Sequence, residues 1–95
     1  MKAIVRLPRA IADLDDIWYY IAQDNPDAAF RTVQRISEAT ARLRDHPFSG
    51  PALEETEFRT ISAPPYTIYY KVTDRSVLIV RVLHSARDVR RVSFD

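Results

Sequence analysis

The stretch Tyr66-Thr67-Ile68-Tyr69-Tyr70-Lys71-Val72, followed after Asp74-Arg75 by Val77-Leu78-Ile79-Val80-Arg81-Val82-Leu83, decides the fold of this chain. In its first half Tyr66, Ile68, Tyr70 and Val72 alternate with Thr67, Tyr69 and Lys71, the period-2 pattern of a strand with one buried face. Asp74-Arg75 marks a turn, and the second half is apolar at nearly every position, as in a central strand. Toward the N-terminus, Pro64-Pro65 ends a further strand over residues 58–63. Residues 47–51 hold the only glycine and two of the six prolines, which makes them a stiff turn rather than a flexible linker.

Upstream of that turn the apolar period changes to that of a helix. Ala29, Phe30, Val33, Ile36, Thr40 and Leu43 form one stripe, opened by Asn25 as cap and Pro26 at the first helical position, and closed near His46-Pro47. Ile11, Leu14, Ile17, Trp18 and Ile21 predict the buried face of an earlier helix that starts at Pro8, with Asp13, Asp15 and Asp16 in the half where the helix dipole favours acids. So short a connection at Asn25-Pro26 makes the two helices antiparallel neighbours. Residues 3–7, β-branched and stopped by Pro8, read as a first strand. The order β-α-α-β-β-β predicts an α+β domain, an N-terminal helical hairpin packed on one face of a mostly antiparallel sheet.

Composition agrees with one domain over residues 1–95. With 46% hydrophobic and 28% charged residues among 95, the chain has material for a core and can bury about 65% of its unfolded surface. The absence of cysteine excludes a disulfide scaffold, a thiolate metal site and a cysteine nucleophile, and His46 and His84 stand apart from any ligand pattern. A single glycine excludes the usual phosphate-cradling loops, so neither a metal nor a cofactor is expected. Nothing in the sequence positions an imidazole to activate Ser49 or Ser85 as a nucleophile. The longest apolar run, residues 77–80, is far short of a membrane span, and the first residues are too short for a signal peptide, which makes the cytoplasm the expected location.

Net charge of +1 hides an asymmetry: residues 1–58 carry −3 and residues 59–95 carry +4, which would attract an anionic partner to the C-terminal part. Two local features stand out. Arg59, Lys71, Arg81 and His84 fall on strands of one sheet, where they read either as a cationic patch near Tyr69 on the face away from the helices or as a solvated face with arginine stems on tyrosines. Trp18, Tyr19 and Tyr20 are consecutive on a helix that turns about 100° per residue, so at least one aromatic faces outward, as on a partner surface.

Taken together, Pro8-Arg9-Ala10, Asp13-Leu14, Ile17-x-x-x-Ile21, Asn25-Pro26, Leu43, Pro47-x-x-Gly50, Arg59, Tyr66-x-Ile68-x-Tyr70 and Val82-Leu83-His84-x-x-Arg87-Asp88 resemble the RelE/ParE toxin superfamily over residues 7–88. The resemblance implies the toxin half of a bacterial type II toxin–antitoxin pair, of the kind that stabilises plasmids, neutralised by direct binding of a small antitoxin. The superfamily divides between ribosome-dependent mRNA endonucleases like RelE and inhibitors of DNA gyrase like ParE. Some nuclease relatives carry a Glu in the Pro-x-x-Gly turn and a Tyr beside the terminal His; here those places are Ser49 and Ser85, while Arg59 and His84 match. Glu54, Glu55 and Glu57, just before Arg59, would repel an RNA backbone.

The closing Val82-Leu83-His84-Ser85-Ala86-Arg87-Asp88 is closer to the ParE-like branch, which implies a protein that binds gyrase, has no active site of its own and is neutralised by a ParD-like antitoxin in a hetero-oligomer. Arg81, His84, Arg87, Arg90 and Arg91 are the expected target surface. Trp18, Tyr19 and Tyr20, with Arg31, Arg35 and Arg42 for an acidic antitoxin helix, are the expected antitoxin surface. The alternatives are a ribosome-dependent mRNA endoribonuclease using Arg59 for the phosphate and His84 as acid or base, and an inactive member that only binds its antitoxin and co-represses the operon.

Overall fold

A computed structural model describes residues 1–87 and residue 94. Its elements are β1 (Ala3–Arg6), α1 (Pro8–Ala22), α2 (Pro26–Ala41), a 3-10 turn (Arg42–Arg44), β2 (Arg59–Ala63), β3 (Tyr66–Val72) and β4 (Ser76–His84). The four strands form one sheet in the order β1-β4-β3-β2, antiparallel except that β1 runs parallel to β4. The central β4 is the strand that the sequence marks as apolar throughout.

Each helix begins as its local chemistry dictates. Pro8 opens α1, where a missing N–H costs nothing, and Ile11 N–H donates back to the Leu7 carbonyl at 3.1 Å. Asn25 caps α2 by accepting from the Ala28 N–H at 3.0 Å, with Pro26 at the first position. The core lies between the hairpin and the sheet: Ala10, Leu14 and Ile17 from α1, Ile36, Ala39 and Leu43 from the α2 side, and Tyr66, Ile68, Tyr70, Val77, Ile79 and Val82 from β3 and β4.

Two expectations about the helix faces are corrected. Ile11 is 47% exposed and Trp18 37% exposed, because α1 turns Ala10, Asp13, Leu14 and Ile17 inward and leaves those two on its flank. Phe30 is 65% exposed, and the inner face of α2 is completed by Thr32 and Ala39 instead. In both helices the small residues allow close approach, and the bulky ones next to them in sequence are turned to the side.

Gly50 sits where the turn after α2 meets the sheet. Its N–H donates to the Tyr70 hydroxyl at 3.0 Å, and an added Cβ would collide with the Thr60 carbonyl. The glycine is required by close approach, since its φ is not positive. On the other side of the sheet Tyr69 packs edge-on against Phe94 at 5.2 Å, and Phe58 lies 5.1 Å from the same ring. Burial pushes the Tyr69 hydroxyl pKa upward.

One connection between the layers is polar. Arg81 Nε and Nη2 donate to the two carboxylate oxygens of Asp13 at 2.7 and 2.8 Å, and the Val82 N–H donates to the same carboxylate at 2.9 Å. Asp13 is 9% exposed and Arg81 6% exposed. A register shift between Tyr69 and Tyr70 makes this possible: Tyr69 opposes Arg81 while Tyr70 opposes Ile79, leaving Val80 as an extra residue. The bulge lets Val82 join the core opposite Ile68 while the Arg81 guanidinium still reaches α1. The expected open-face patch is therefore corrected, because Arg81 serves the one carboxylate that the inner face of α1 buries. Hydrogen bonding to Asp13 raises the Arg81 pKa, against a desolvation that lowers it, with the carboxylate charge adding to the rise.

Removing one member of this pair leaves an uncompensated buried charge. Urea unfolding of Asp13→Ala or Arg81→Ala will show a loss of about 3–5 kcal/mol, a large share of a small domain's stability. The double variant Asp13→Leu/Arg81→Met will lose less than the two single losses added together. A single-variant loss below about 1 kcal/mol would show that the pair is dispensable. Tyr70→Phe, which strips the buried Gly50 N–H of its acceptor, will cost about 1–3 kcal/mol in the same experiment.

Candidate functional site: the groove between α1 and β4

The Asp13–Arg81 connection forms the base of a groove of about 340 Å³ between the second half of α1 and the end of β4. Asp16 and Tyr20 stand on the α1 wall; Tyr66, His84 and Arg87 stand on the sheet side; Ile17, Val82 and Leu83 supply apolar surface between them. Tyr20 is 76% exposed, and Asp16, His84 and Arg87 are also exposed. The rim is thus open to a partner and the floor is part of the core.

His84 is held by its surroundings. It opposes Tyr66 across the strands, and the two rings meet edge-on at 5.8 Å. Its Nδ1 accepts the Ala86 N–H at 3.1 Å, so the neutral ring carries its proton on Nε2. Ser85 N–H donates to the Pro65 carbonyl at 2.8 Å, and the Ser85 and Thr67 hydroxyls lie 2.8 Å apart. These bonds fix the chain direction as it leaves β4.

Of the residues expected to meet the target, His84 and Arg87 lie together in the groove, Arg81 lies beneath it in its ion pair, and Arg90 and Arg91 lie outside the described residues. Of those expected to meet the antitoxin, all six are exposed, but they do not form one patch. Trp18 lines a recess of about 190 Å³ with Ile11, Leu14, Asp15, Val33 and Arg6, and its ring packs edge-on against Tyr19 at 5.4 Å. Tyr20, two residues on, lines the groove on the β4 side. Arg31 and Arg35 lie one turn apart on α2, Arg42 opens the 3-10 turn that follows it, and Arg35 Nη2 lies 3.4 Å from the Pro64 carbonyl.

The two residues of the nuclease alternative stand apart. Arg59 opposes Tyr70 and His84 opposes Tyr66, a displacement of four residues, roughly 13 Å, along β3. Arg59 Nη1 donates to the Gly50 carbonyl at 2.8 Å and its guanidinium lies 5.0 Å from the centre of the Phe48 ring. Lys71, also expected in the cationic patch, pairs with Glu57 at 3.0 Å. Among the described residues, no group of three His, Asp or Glu side chains is placed to hold a metal, and no helix is long and apolar enough to cross a membrane.

The sequence reading missed the parts of Asp13, Asp16, Ile17 and Tyr66 in this groove. The signal for Asp13 was present. It sits three residues after Ala10 and four before Ile17, on the inward stripe of α1, and Arg81 is the one charge in the apolar run of β4.

The comparisons with known proteins converge on one family. Residues 4–89 match the family described as the ParE toxin of the type II toxin–antitoxin system parDE. The chain is 40% identical over 87 residues to the toxin RelE2 of Caulobacter vibrioides, covering 92% of this chain and 99% of that protein. It is 33% identical over 88 residues to the toxin ParE1 of Mycobacterium tuberculosis, covering 88% of this chain and 90% of that one. In three dimensions it matches a chain of the chromosomal ParDE system from P. aeruginosa with a TM-score of 0.76 and 26% identity, over 88% of this chain and 96% of the other. The family match, the sequence likenesses and the fold agree: the chain belongs to the ParE family of type II toxin–antitoxin toxins.

Proposed function

We propose that this toxin acts by binding DNA gyrase, trapping the enzyme on cleaved DNA, and that a ParD-like antitoxin neutralises it. The observation that carries the reading is the engagement of Arg59 by the Gly50 carbonyl and the Phe48 ring, four residues along β3 from the register of His84. A cleaving site for RNA needs a proton acceptor, a proton donor and cations converging on one phosphate. Ser49 and Ser85 stand where some nuclease relatives carry Glu and Tyr, which supports action by contact rather than by chemistry. His84 and Arg87 at the groove are the target residues in this reading, and Trp18, Tyr19 and Tyr20 with Arg31, Arg35 and Arg42 are those for the antitoxin.

The mRNA-cleaving alternative keeps one favourable feature, the Nε2 proton of His84 beside Arg87 in an open groove. Two measurements separate the readings. Purified protein incubated with gyrase, ATP and supercoiled plasmid will yield linear DNA after detergent and protease, and added antitoxin will suppress it; absence of linear product from folded protein would move the target to the ribosome. Alanine at Trp18, Tyr19 and Tyr20, with antitoxin affinity read by calorimetry, will cost at least about 1 kcal/mol at one or more positions. Uniform losses below about 0.5 kcal/mol would place the anchors elsewhere.

A further inference from the structure

A sheet with both helices on one side leaves its other face to water, yet in this chain that face carries an aromatic cluster of its own. Tyr66, Ile68 and Tyr70 of β3 belong to the core between hairpin and sheet, so by alternation Thr67, Tyr69 and Lys71 point the other way. Thr67 and Lys71 are half-buried, whereas Tyr69 is only 7% exposed. Its cover is aromatic. The Phe94 ring meets Tyr69 edge-on at 5.2 Å and Phe58 in a tilted arrangement at 5.1 Å, both within the range of favourable ring pairs. Phe58 is itself placed by the backbone, since its carbonyl accepts from the Leu53 N–H at 2.9 Å and its N–H donates to the Thr56 hydroxyl at 3.1 Å.

We propose that Phe94 is a latch that ties the C-terminal end of the chain to the outer face of the sheet and lifts from Tyr69 and Phe58 as a local event, with the core left intact. Phe94 lies well beyond His84, where β4 ends, yet its ring stands against the middle of β3 and beside the entry to β2. The chain has thus come back across the sheet by its C-terminal end. Phe58, Tyr69 and Phe94 share no member with the core between hairpin and sheet, and the sheet separates the two. Phe94 also lies outside the four strands, so lifting its ring removes none of their pairings. Closed, the latch keeps a tyrosine ring from water on a face with no helix above it, and is part of the cover that pushes the Tyr69 hydroxyl pKa upward. Open, it exposes Tyr69 and Phe58 together and frees the C-terminal end. Tyr69 opposes Arg81 across the strands, which puts the latch behind the Asp13–Arg81 base of the groove.

The test reads Tyr69 in the unaltered protein and in Phe94→Ala, with the exposed Tyr19 as internal reference. Nitration by tetranitromethane, resolved by peptide mass spectrometry, will be slow at Tyr69 and about tenfold faster in Phe94→Ala, the change that two lost ring contacts predict. Phe94→Trp, which keeps an aromatic ring, will restore the protection. Titration followed by carbon-13 tyrosine resonances will show the Tyr69 pKa of Phe94→Ala falling toward its ordinary value. Local opening has its own signature in the unaltered protein. Below the unfolding transition the nitration of Tyr69 will be insensitive to urea, while hydrogen exchange of the core β4 amides will accelerate with urea as global unfolding requires. Equal Tyr69 reactivity and pKa with and without the Phe94 ring would overturn the latch. A Tyr69 rate that climbs with urea in parallel with those amides would overturn local opening, and that measurement needs no variant to fold.

Discussion

A carboxylate on the inner face of a helix must find compensation or remain protonated, and in this chain it determines how the two layers meet. Asp13 takes three donors, two from the Arg81 guanidinium and one from the Val82 backbone. The arginine charge is thereby removed from the surface, α1 is set at a fixed distance from β4, and the backbone is caught just past the bulge. The pair is a poor source of net stability compared with an apolar pair of similar volume, but it is directional in a way that leucines are not. The depth of the groove follows from it, because the helix can neither slide along β4 nor settle closer without breaking bidentate geometry.

Much of the fold was legible because its determinants are local. The Asn25 cap, the Pro8 and Pro26 helix starts and the alternation of Tyr66, Ile68, Tyr70 and Val72 each act over a few residues, and each appears in the structure as the pattern requires. The errors fall where tertiary packing chooses between near-equivalent faces. Ile11 and Trp18 have helical spacing with Leu14, yet α1 rotates so that Ala10 and Asp13 lie inward, since the ion pair fixes its roll about the helix axis. Periodicity reports that a helix is amphipathic and leaves tens of degrees of roll undetermined.

The candidate site was less legible for the same reason. Counting charges placed Arg59, Lys71, Arg81 and His84 on one sheet, which is correct, but the count carries no information about partners. Glu57 meets Lys71, the Gly50 carbonyl meets Arg59 and Asp13 meets Arg81, each through a contact distant in sequence. The expected basic field thus resolves into separate local contacts, and at the β4 end Asp16 and Arg87 both line the groove.

Arg59 illustrates how a superfamily position can hold its residue while the chemistry around it differs. In this chain the guanidinium ties β2 to the turn at Gly50, whose N–H is in turn held by the Tyr70 hydroxyl and whose missing Cβ admits the Thr60 carbonyl. Substrate phosphate at Arg59 would have to compete with a 2.8 Å bond to a carbonyl and with the face of Phe48, both already in place. At the α1–β4 end the same fold leaves an open groove lined by Asp16, His84 and Arg87 over a base fixed by the Asp13–Arg81 pair. A surface of that form is suited to holding a protein segment in register.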